Sequence, residues 1–183
     1  MSQQKEWETL SSEIGFQGKF LKVRVDKVRR PDGSIGTFEV VEKPDFVVII
    51  PKTDDKFYLV EQYRYAVGAR SWEFPHGGCE GIPDLEACAK RELEEEVGLV
   101  ATNLILLGKL WLAVGTSKQE YAVYLAKEMR PGKKQLDASE ADLVTSLFTI
   151  QEIKAMIEQG IIRSSVTIAA FDLYLLRENP KDL

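Results

Sequence analysis

At 183 residues the chain is long enough for one sizeable core and too short for two full domains. Hydrophobic residues make up 44% and charged residues 29%, the balance of a soluble globular protein. The net charge of −5 argues against nucleic acid as a partner, and no stretch approaches the about 20 apolar residues of a membrane span. The start, MSQQKEWETLSS, is polar and lacks the apolar run of a signal peptide, so the expected location is cytoplasmic, with no membrane partner. With one His and two Cys, neither a zinc site nor a disulfide framework is expected. Cys88 falls on a predicted helix as a small core residue, and Cys79, in a Gly-rich loop, has no assigned role.

In chain order, residues 5–11 and 18–30 read as extended, with period-two alternation from Phe20 to Val28. Pro31-Asp32-Gly33-Ser34 is a turn signal, and Thr37 to Glu42 returns as a strand. The apolar run Phe46–Ile50 is a buried strand. Thr53-Asp54-Asp55-Lys56 is the next turn, and Phe57–Tyr63 is the partner strand. A helix rich in Glu follows, ending at Gly98. Further strands are predicted at 104–112, 121–127 and 144–148. Helices follow at 153–159 and 164–177, the second capped by Ser164 or Ser165.

The segment Arg91-Glu92-Leu93-Glu94-Glu95-Glu96-Val97-Gly98-Leu99 carries the chemistry. At about 100° per residue, Glu92, Glu95 and Glu96 share one arc and Glu94 lies opposite. Like charges at these spacings, close to the negative pole of the helix dipole, oppose the helix. A plain acidic surface helix tolerates them through water. A divalent cation turns them to use, and oxygen-rich sites suit Mg²⁺ or Mn²⁺.

Gly77 to Leu99 resembles the Nudix box of the Nudix hydrolases. Gly77, Arg91, Glu92, Leu93, Glu95, Glu96, Gly98 and Leu99 match its fixed positions, whereas its first Glu falls on Pro83. Glu61-Gln62-Tyr63-Arg64 and Trp72-Glu73-Phe74-Pro75-His76-Gly77-Gly78 resemble the approach to the box in the ADP-ribose and nucleotide-sugar pyrophosphatase branch. The N-terminal hairpin and the IAAFDLYLL tail resemble that branch too. The fold so implied is an α/β/α sandwich: a mixed sheet with the box helix on one side and the C-terminal helices on the other. An N-terminal β-hairpin extension (1–43) precedes the Nudix domain (44–183), and the branch uses this hairpin to form a homodimer.

The resemblance implies metal ligands at Glu92, Glu95, Glu96 and the carbonyl of His76, whose imidazole is given no catalytic task. Gly77 and Gly78 allow close backbone approach. Arg91 either pairs with Glu95 one turn on or positions the carboxylates and loop. The base is sought in Gln135–Asp142, with Glu140 first and Asp142 second; a solvated acidic loop is the alternative. Arg64 and Arg70 are candidates for substrate phosphates. Glu73 would bind metal through water or orient an Arg. Trp111, Tyr65 and Trp72 would stack on a base or pack in the core. Val114 stands where ADP-ribose enzymes carry Pro. The expected activity is Mg²⁺- or Mn²⁺-dependent hydrolysis of the diphosphate in a nucleoside diphosphate derivative, ADP-ribose or a nucleotide sugar. The alternative is a Nudix-fold nucleotide-binding or regulatory module whose degenerate box turns over little substrate.

Overall fold

The apolar run from Phe46 to Ile50 lies at the centre of the architecture. In the computed structural model, which describes residues 6–137 and 140–178, it opens strand β4 (Phe46–Thr53). Val47, Val48, Ile49 and Ile50 are wholly buried, because both faces of the sheet are covered. Successive side chains point to opposite faces. Val48 and Ile50 pack with Ile153, Ile162, Phe171 and Tyr174, and Val47 and Ile49 pack with Cys88, Ala89 and Leu93. One strand thus sorts the helices into two layers.

Along the chain, β5 (Lys56–Arg64) is followed by a short 3₁₀ turn (Tyr65–Val67), β6 (Ala69–Glu73) and β7 (His76–Gly78). Helix α1 (Leu85–Glu92) comes next. Then follow β8 (Leu99–Trp111), β9 (Glu120–Pro131), β10 (Val144–Thr149), α2 (Ile150–Glu158) and α3 (Ser165–Glu178). The sheet order is β10-β5-β4-β9-β8, with β6 added on β5 and β7 on β4. β4 runs parallel to β9 and antiparallel to β5 and β7, so the sheet is mixed. Strands β6 and β7 were not foreseen. They are short and lie in the Gly-rich approach to the acidic helix, where periodicity has too few residues to register.

The N-terminal element is a three-stranded antiparallel sheet rather than a hairpin, in the order β1 (Glu8–Gln17), β2 (Lys22–Arg29), β3 (Ile35–Glu42). The extended segment foreseen at 5–11 runs on to Gln17, and its first residue, Lys5, lies outside the described residues. The turn between β2 and β3 closes as expected. Gly33 takes φ of 88°, Arg30 N donates to Ser34 O at 2.9 Å, and Ser34 N donates to Asp32 Oδ1 at 2.8 Å. The residues up to Pro44 form a compact unit together with Trp111–Glu120. Within it, Val41 N donates to Thr116 O at 2.7 Å and Ser117 Oγ to Val41 O at 2.8 Å. The second unit comprises Asp45–Leu110 and the residues from Tyr121 onward. Among the described residues, no helix is long and apolar enough to cross a membrane.

Helix α2 begins earlier than its periodicity suggested, because Thr149 and Glu152 form a capping box. Glu152 N donates to Thr149 Oγ1 at 3.2 Å, and Thr149 N donates to Glu152 Oε2 at 2.7 Å. Ser164 caps α3, its hydroxyl accepting from Thr167 N at 3.3 Å. Thr149→Ala removes half of the reciprocal box at about 1 kcal/mol, so thermal denaturation should show a melting temperature about 2–4 °C lower. An unchanged transition would mean that α2 is fixed by its buried Ile153 alone.

Candidate active site

Helix α1 starts at Asp84, whose carboxylate accepts from Glu86 N at 3.0 Å. From Leu93 to Val97 the turns widen into a π-helical segment that ends at Gly98, with φ of 76°. Such insertions re-aim side chains and recur at functional sites. Leu93, Cys88 and Ala89 go into the core and carry Glu92 and Glu96 under cover, 7% and 1% exposed. Glu95 stays half-exposed. Glu94 turns away and accepts from Lys133 N at 3.1 Å. The expected separation of Glu94 from the other three therefore holds. The burial of two of the three was not legible, because it depends on the strand that lies over them.

That strand is β7. It pairs with β4 through Phe46–Gly78, Val47–Gly77 and Val48–His76. A Cβ on Gly77 would fall on the Glu92 carboxylate, and one on Gly78 would fall on that of Glu80. A side chain at Gly77 would displace the buried Glu92 carboxylate, whereas the exposed Glu80 has room to swing away from Gly78. Arg91 joins strand and helix. Its Nη2 donates to Gly78 O at 2.8 Å and contacts Glu92 Oε1, while Nε lies 3.6 Å from Glu95 Oε2. Arg91 thus lies within ion-pair distance of Glu95 and also bonds the loop carbonyl at Gly78.

Burial raises Glu96 well above its ordinary value, and the charges of Glu140 and Glu92 push the same way. The backbone N–H of His76 favours its charged form, yet neither carboxylate oxygen has a hydrogen-bond partner. Burial also raises Glu92, against Arg91 and with Glu95 and Glu140. Burial raises Glu140 against the Asp137 backbone N–H and Arg64, and the charges of Asp137 and Glu95 add to it. The fold thus brings Glu140 into the field of the helix carboxylates, across more than 40 residues of sequence. Its neighbours Ala138 and Ser139, in the predicted base loop, lie outside the described residues. Two unpartnered, buried acidic oxygens in an all-oxygen setting fit a hard divalent cation. Among the described residues, however, no three His, Cys, Asp or Glu side chains converge into a finished cage. Lys134, which sequence reasoning did not single out, stands close enough for Glu96 to favour its charge.

Arg64 leaves β5 toward the same region. Its Nη2 and Nε donate to Glu73 Oε2 at 2.6 and 3.1 Å, and Nη2 also meets His76 Nε2 at 2.8 Å. Burial works against the charge of Glu73, but the Arg64 guanidinium outweighs it and holds the carboxyl low. Burial and then Arg64 lower His76, so its ring is neutral. Nε2 accepts from Arg64, and the Nδ1 proton goes to Phe74 O at 2.9 Å. The imidazole therefore has a task the sequence did not show, which is to hold Arg64. Arg70 is fully engaged with carboxylates, Nε to Glu61 at 2.7 Å and Nη1 to Asp142 at 2.5 Å. Asp142 is held low chiefly by that Arg70 bond. A cleft of about 470 Å³ opens beside Arg64, Glu73 and His76 and is bounded by Arg163 and Ser164 before α3. Trp72 packs against Phe148 at 5.0 Å in the core. Tyr65 and Trp111 are exposed.

The cysteines correct the sequence expectation. Cys79 and Cys88, with Cα atoms 5.7 Å apart, form a disulfide. Gly81, with φ of 75°, lets the loop fold back over the first turns of α1, which no spacing rule anticipates.

The profile of the NUDIX domain matches residues 42–169. This chain belongs to the Nudix family. Residues 7–41 match the nucleoside diphosphate sugar hydrolase N-terminal domain. An ADP-ribose pyrophosphatase of Mycobacterium tuberculosis is 38% identical over 168 residues, covering 90% of this chain and 81% of that protein. An ADP-ribose pyrophosphatase of Bacillus subtilis is 29% identical, covering 94% and 95%. A methanol dehydrogenase activator of Bacillus methanolicus is 30% identical, also covering 94% and 95%. A solved ADP compounds hydrolase superposes with a TM-score of 0.87 at 21% identity, covering 99% of this chain and 97% of that one, and shares the fold. The Nudix α/β/α arrangement foreseen from the box is thus the observed one. Nudix hydrolases use divalent metals, and the acidic cluster is where this chain would hold one.

The electrostatics give a testable sign. The folded pKa of Glu96 lies above its ordinary 4.5. Its contribution to stability is therefore full below that value and is lost as pH rises through the folded one. Metal-free protein should melt at a lower temperature at pH 8 than at pH 5.5 on this account. Glu96→Gln should raise the melting temperature at pH 8 by about 2 °C or more, since a buried unsatisfied group costs about 1–3 kcal/mol. A destabilised Glu96→Gln protein at pH 8 would show that the carboxylate is satisfied in the fold.

Proposed function

We propose that this chain is a divalent-metal-dependent pyrophosphohydrolase that cleaves the diphosphate linkage of a nucleoside diphosphate derivative, ADP-ribose or a nucleotide sugar. The observation that carries this is the pair of unpartnered, buried oxygens of Glu96 near Glu92, whose own carboxylate lies against Gly77. The names of the Mycobacterium and Bacillus subtilis relatives support the substrate class. The His76 carbonyl and the carboxylates of Glu92, Glu95 and Glu96 would hold Mg²⁺ or Mn²⁺, which would supply charge neutralisation of the diphosphate and a polarised water. Arg64, braced by Glu73 and His76, turns its remaining Nη1 to a phosphate oxygen in the adjoining cleft. Arg70 shapes the cleft wall through its pairs with Glu61 and Asp142 rather than through a free fork. Glu140, raised by burial and its acidic neighbours, is the base; Asp142 is tied to Arg70. Arg91 positions the Gly78 carbonyl and the helix carboxylates.

A second reading has an observation of its own. Among the described residues the carboxylates stop short of a finished cage, Pro83 replaces a box Glu, and one relative is named an activator. In that case the chain binds nucleotide and regulates a partner with little turnover. A hydrolysis screen with Mg²⁺ or Mn²⁺ over ADP-ribose, nucleotide sugars, dinucleotides and nucleoside triphosphates separates the two. Glu95→Gln, Glu96→Gln and Glu140→Gln should each lower turnover by about 10²-fold or more. Glu94→Gln should stay close to the unmodified enzyme. Equal losses at Glu94 and Glu95 would overturn the assignment of the helix faces.

The wider reading is a cytoplasmic homodimer with no nucleic-acid or membrane partner, in which residues 1–43 associate and 44–183 catalyse. The N-terminal sheet leaves Trp7, Ile14, Phe16, Phe20 and Ile35 more than half exposed, an apolar area that a second copy would cover. Light scattering at micromolar concentration should give twice the chain mass of 20.7 kDa, and deletion of residues 1–43 should halve it. A monomeric full-length chain would reject the dimer.

A further inference from the structure

The loop that carries Gly77 and Gly78 is held on its sheet side by three residue pairs with β4. Beyond Gly78 the chain leaves the sheet. Cys79 N reaches Asp45 O at a long 3.3 Å, Ile82 N closes on Cys79 O at 3.0 Å, and Glu80, Gly81, Pro83 and Asp84 are exposed. On the helix side, among the described residues, the backbone N–H of His76 faces Glu96, and two further links act at and beyond Gly78. One is the hydrogen bond from Arg91 to Gly78 O, made by a guanidinium that Glu92 and Glu95 also pull on. The other is the Cys79–Cys88 disulfide.

The two ends of this cross-link differ. Cys88 has no exposed surface and is packed among Val47, Ile49, Ala89 and Leu93, so its sulfur is fixed to the core. Its Sγ also lies 3.6 Å from Gly78 O. Cys79 is half-buried at the loop surface, directly after Gly78. The bond therefore ties a surface loop to a rigid point one turn before Glu92. Whatever moves Cys79 moves Gly78, Gly77 and the carbonyl of His76 relative to Glu92 and Glu96. No other covalent tether holds that distance.

We propose that the Cys79–Cys88 disulfide is a positioning element for the His76–Gly78 strand. A dithiol that reduces it releases the strand from the acidic helix and weakens the site for a divalent cation and for substrate. The weakening of activity rests on the hydrolase reading above; the release of the loop does not. In the reduction, a thiolate attacks the accessible Sγ of Cys79 and the S–S bond breaks. Cys88 leaves as thiolate and takes a proton. The second thiol of the reductant then resolves the mixed disulfide. The reductant ends as a disulfide, and the protein ends with two thiols. In reducing compartments such disulfides are transient and redox-sensing, which makes the loop responsive to the thiol balance around it.

The test compares full-length protein as purified with the same protein after dithiothreitol and after reoxidation. Denatured samples should show no free thiol before reduction, two after it and none again after reoxidation. Hydrogen exchange of amides 76–82 should speed up on reduction and slow again on reoxidation. Calorimetry with Mn²⁺ should show affinity falling on the order of tenfold on reduction, the scale of losing support behind metal ligands. The KM for ADP-ribose should rise more than kcat falls. Cys79→Ser should behave as the reduced form and ignore dithiothreitol. Since Cys88→Ser puts a hydroxyl into the core, the chemically reduced natural protein is the deciding sample. Two free thiols before reduction, or exchange at 76–82 indifferent to reduction, would overturn the proposal. Faster exchange in a protein that binds no Mn²⁺ and cleaves no diphosphate would uphold the loop tether and reject the hydrolase reading.

Discussion

The site depends on one electrostatic conflict, the burial of Glu96. Its two oxygens lie out of water, without a hydrogen-bond partner, near Glu92 and Glu140. An arrangement of this kind is costly for a carboxylate left alone. It is sustained because the backbone around it is fixed for other reasons. Leu93 and Cys88 anchor the helix in the core, and the π-helical segment turns Glu96 beneath β7. A positive partner placed there relieves the conflict. Among the described residues no cation pairs with Glu96: Arg91 reaches Glu92 and Glu95, Arg64 is engaged by Glu73 and His76 and favours the Glu96 charge only through its field, and Lys134 shares that field.

The sheet makes this conflict possible. β4 is buried on both faces, so its odd and even residues address different helical layers. The acidic helix and α3 are thereby held independently, and the cleft beside Arg64 opens at the end of β5 between framework elements. Placing a strained polar site on rigid strands and helices keeps its geometry within narrow limits. The loop from Gly78 to Asp84 is the exception. It lies at the surface, carries the departure at Pro83, and is secured through Arg91 and the disulfide.

Three sets of interactions organise the remaining polar groups. His76 stays neutral and accepts from Arg64, whose guanidinium also donates to Glu73. Arg70 and Asp142 join β6 to the loop before β10, near Glu140. The segment after β9 docks on the C-terminal end of the acidic helix through Gly132 N to Gly98 O at 2.8 Å and Gln135 N to Glu95 O at 3.0 Å. The last contact delivers Glu140 to the carboxylates.

The sequence by itself determined the elements whose signals are local. Alternation marked β2 and the apolar run marked β4. Gly33 and Gly98 marked a turn and a helix end, and the spacing of Glu92, Glu95 and Glu96 separated them from Glu94. The family pattern added the sandwich and placed Arg64, Gly77 and Gly78 at the site. Tertiary structure decided everything that depends on what lies opposite. Glu96 is buried and Glu95 is not because β7 covers one part of the arc. The His76 ring has work because Arg64 comes from another strand. Arg70 and Asp142 occupy each other across 72 residues. Cys79 meets Cys88 because a loop folds back at Gly81. Periodicity reports which face a residue takes on its own element, and it carries no information about the partner that face will meet.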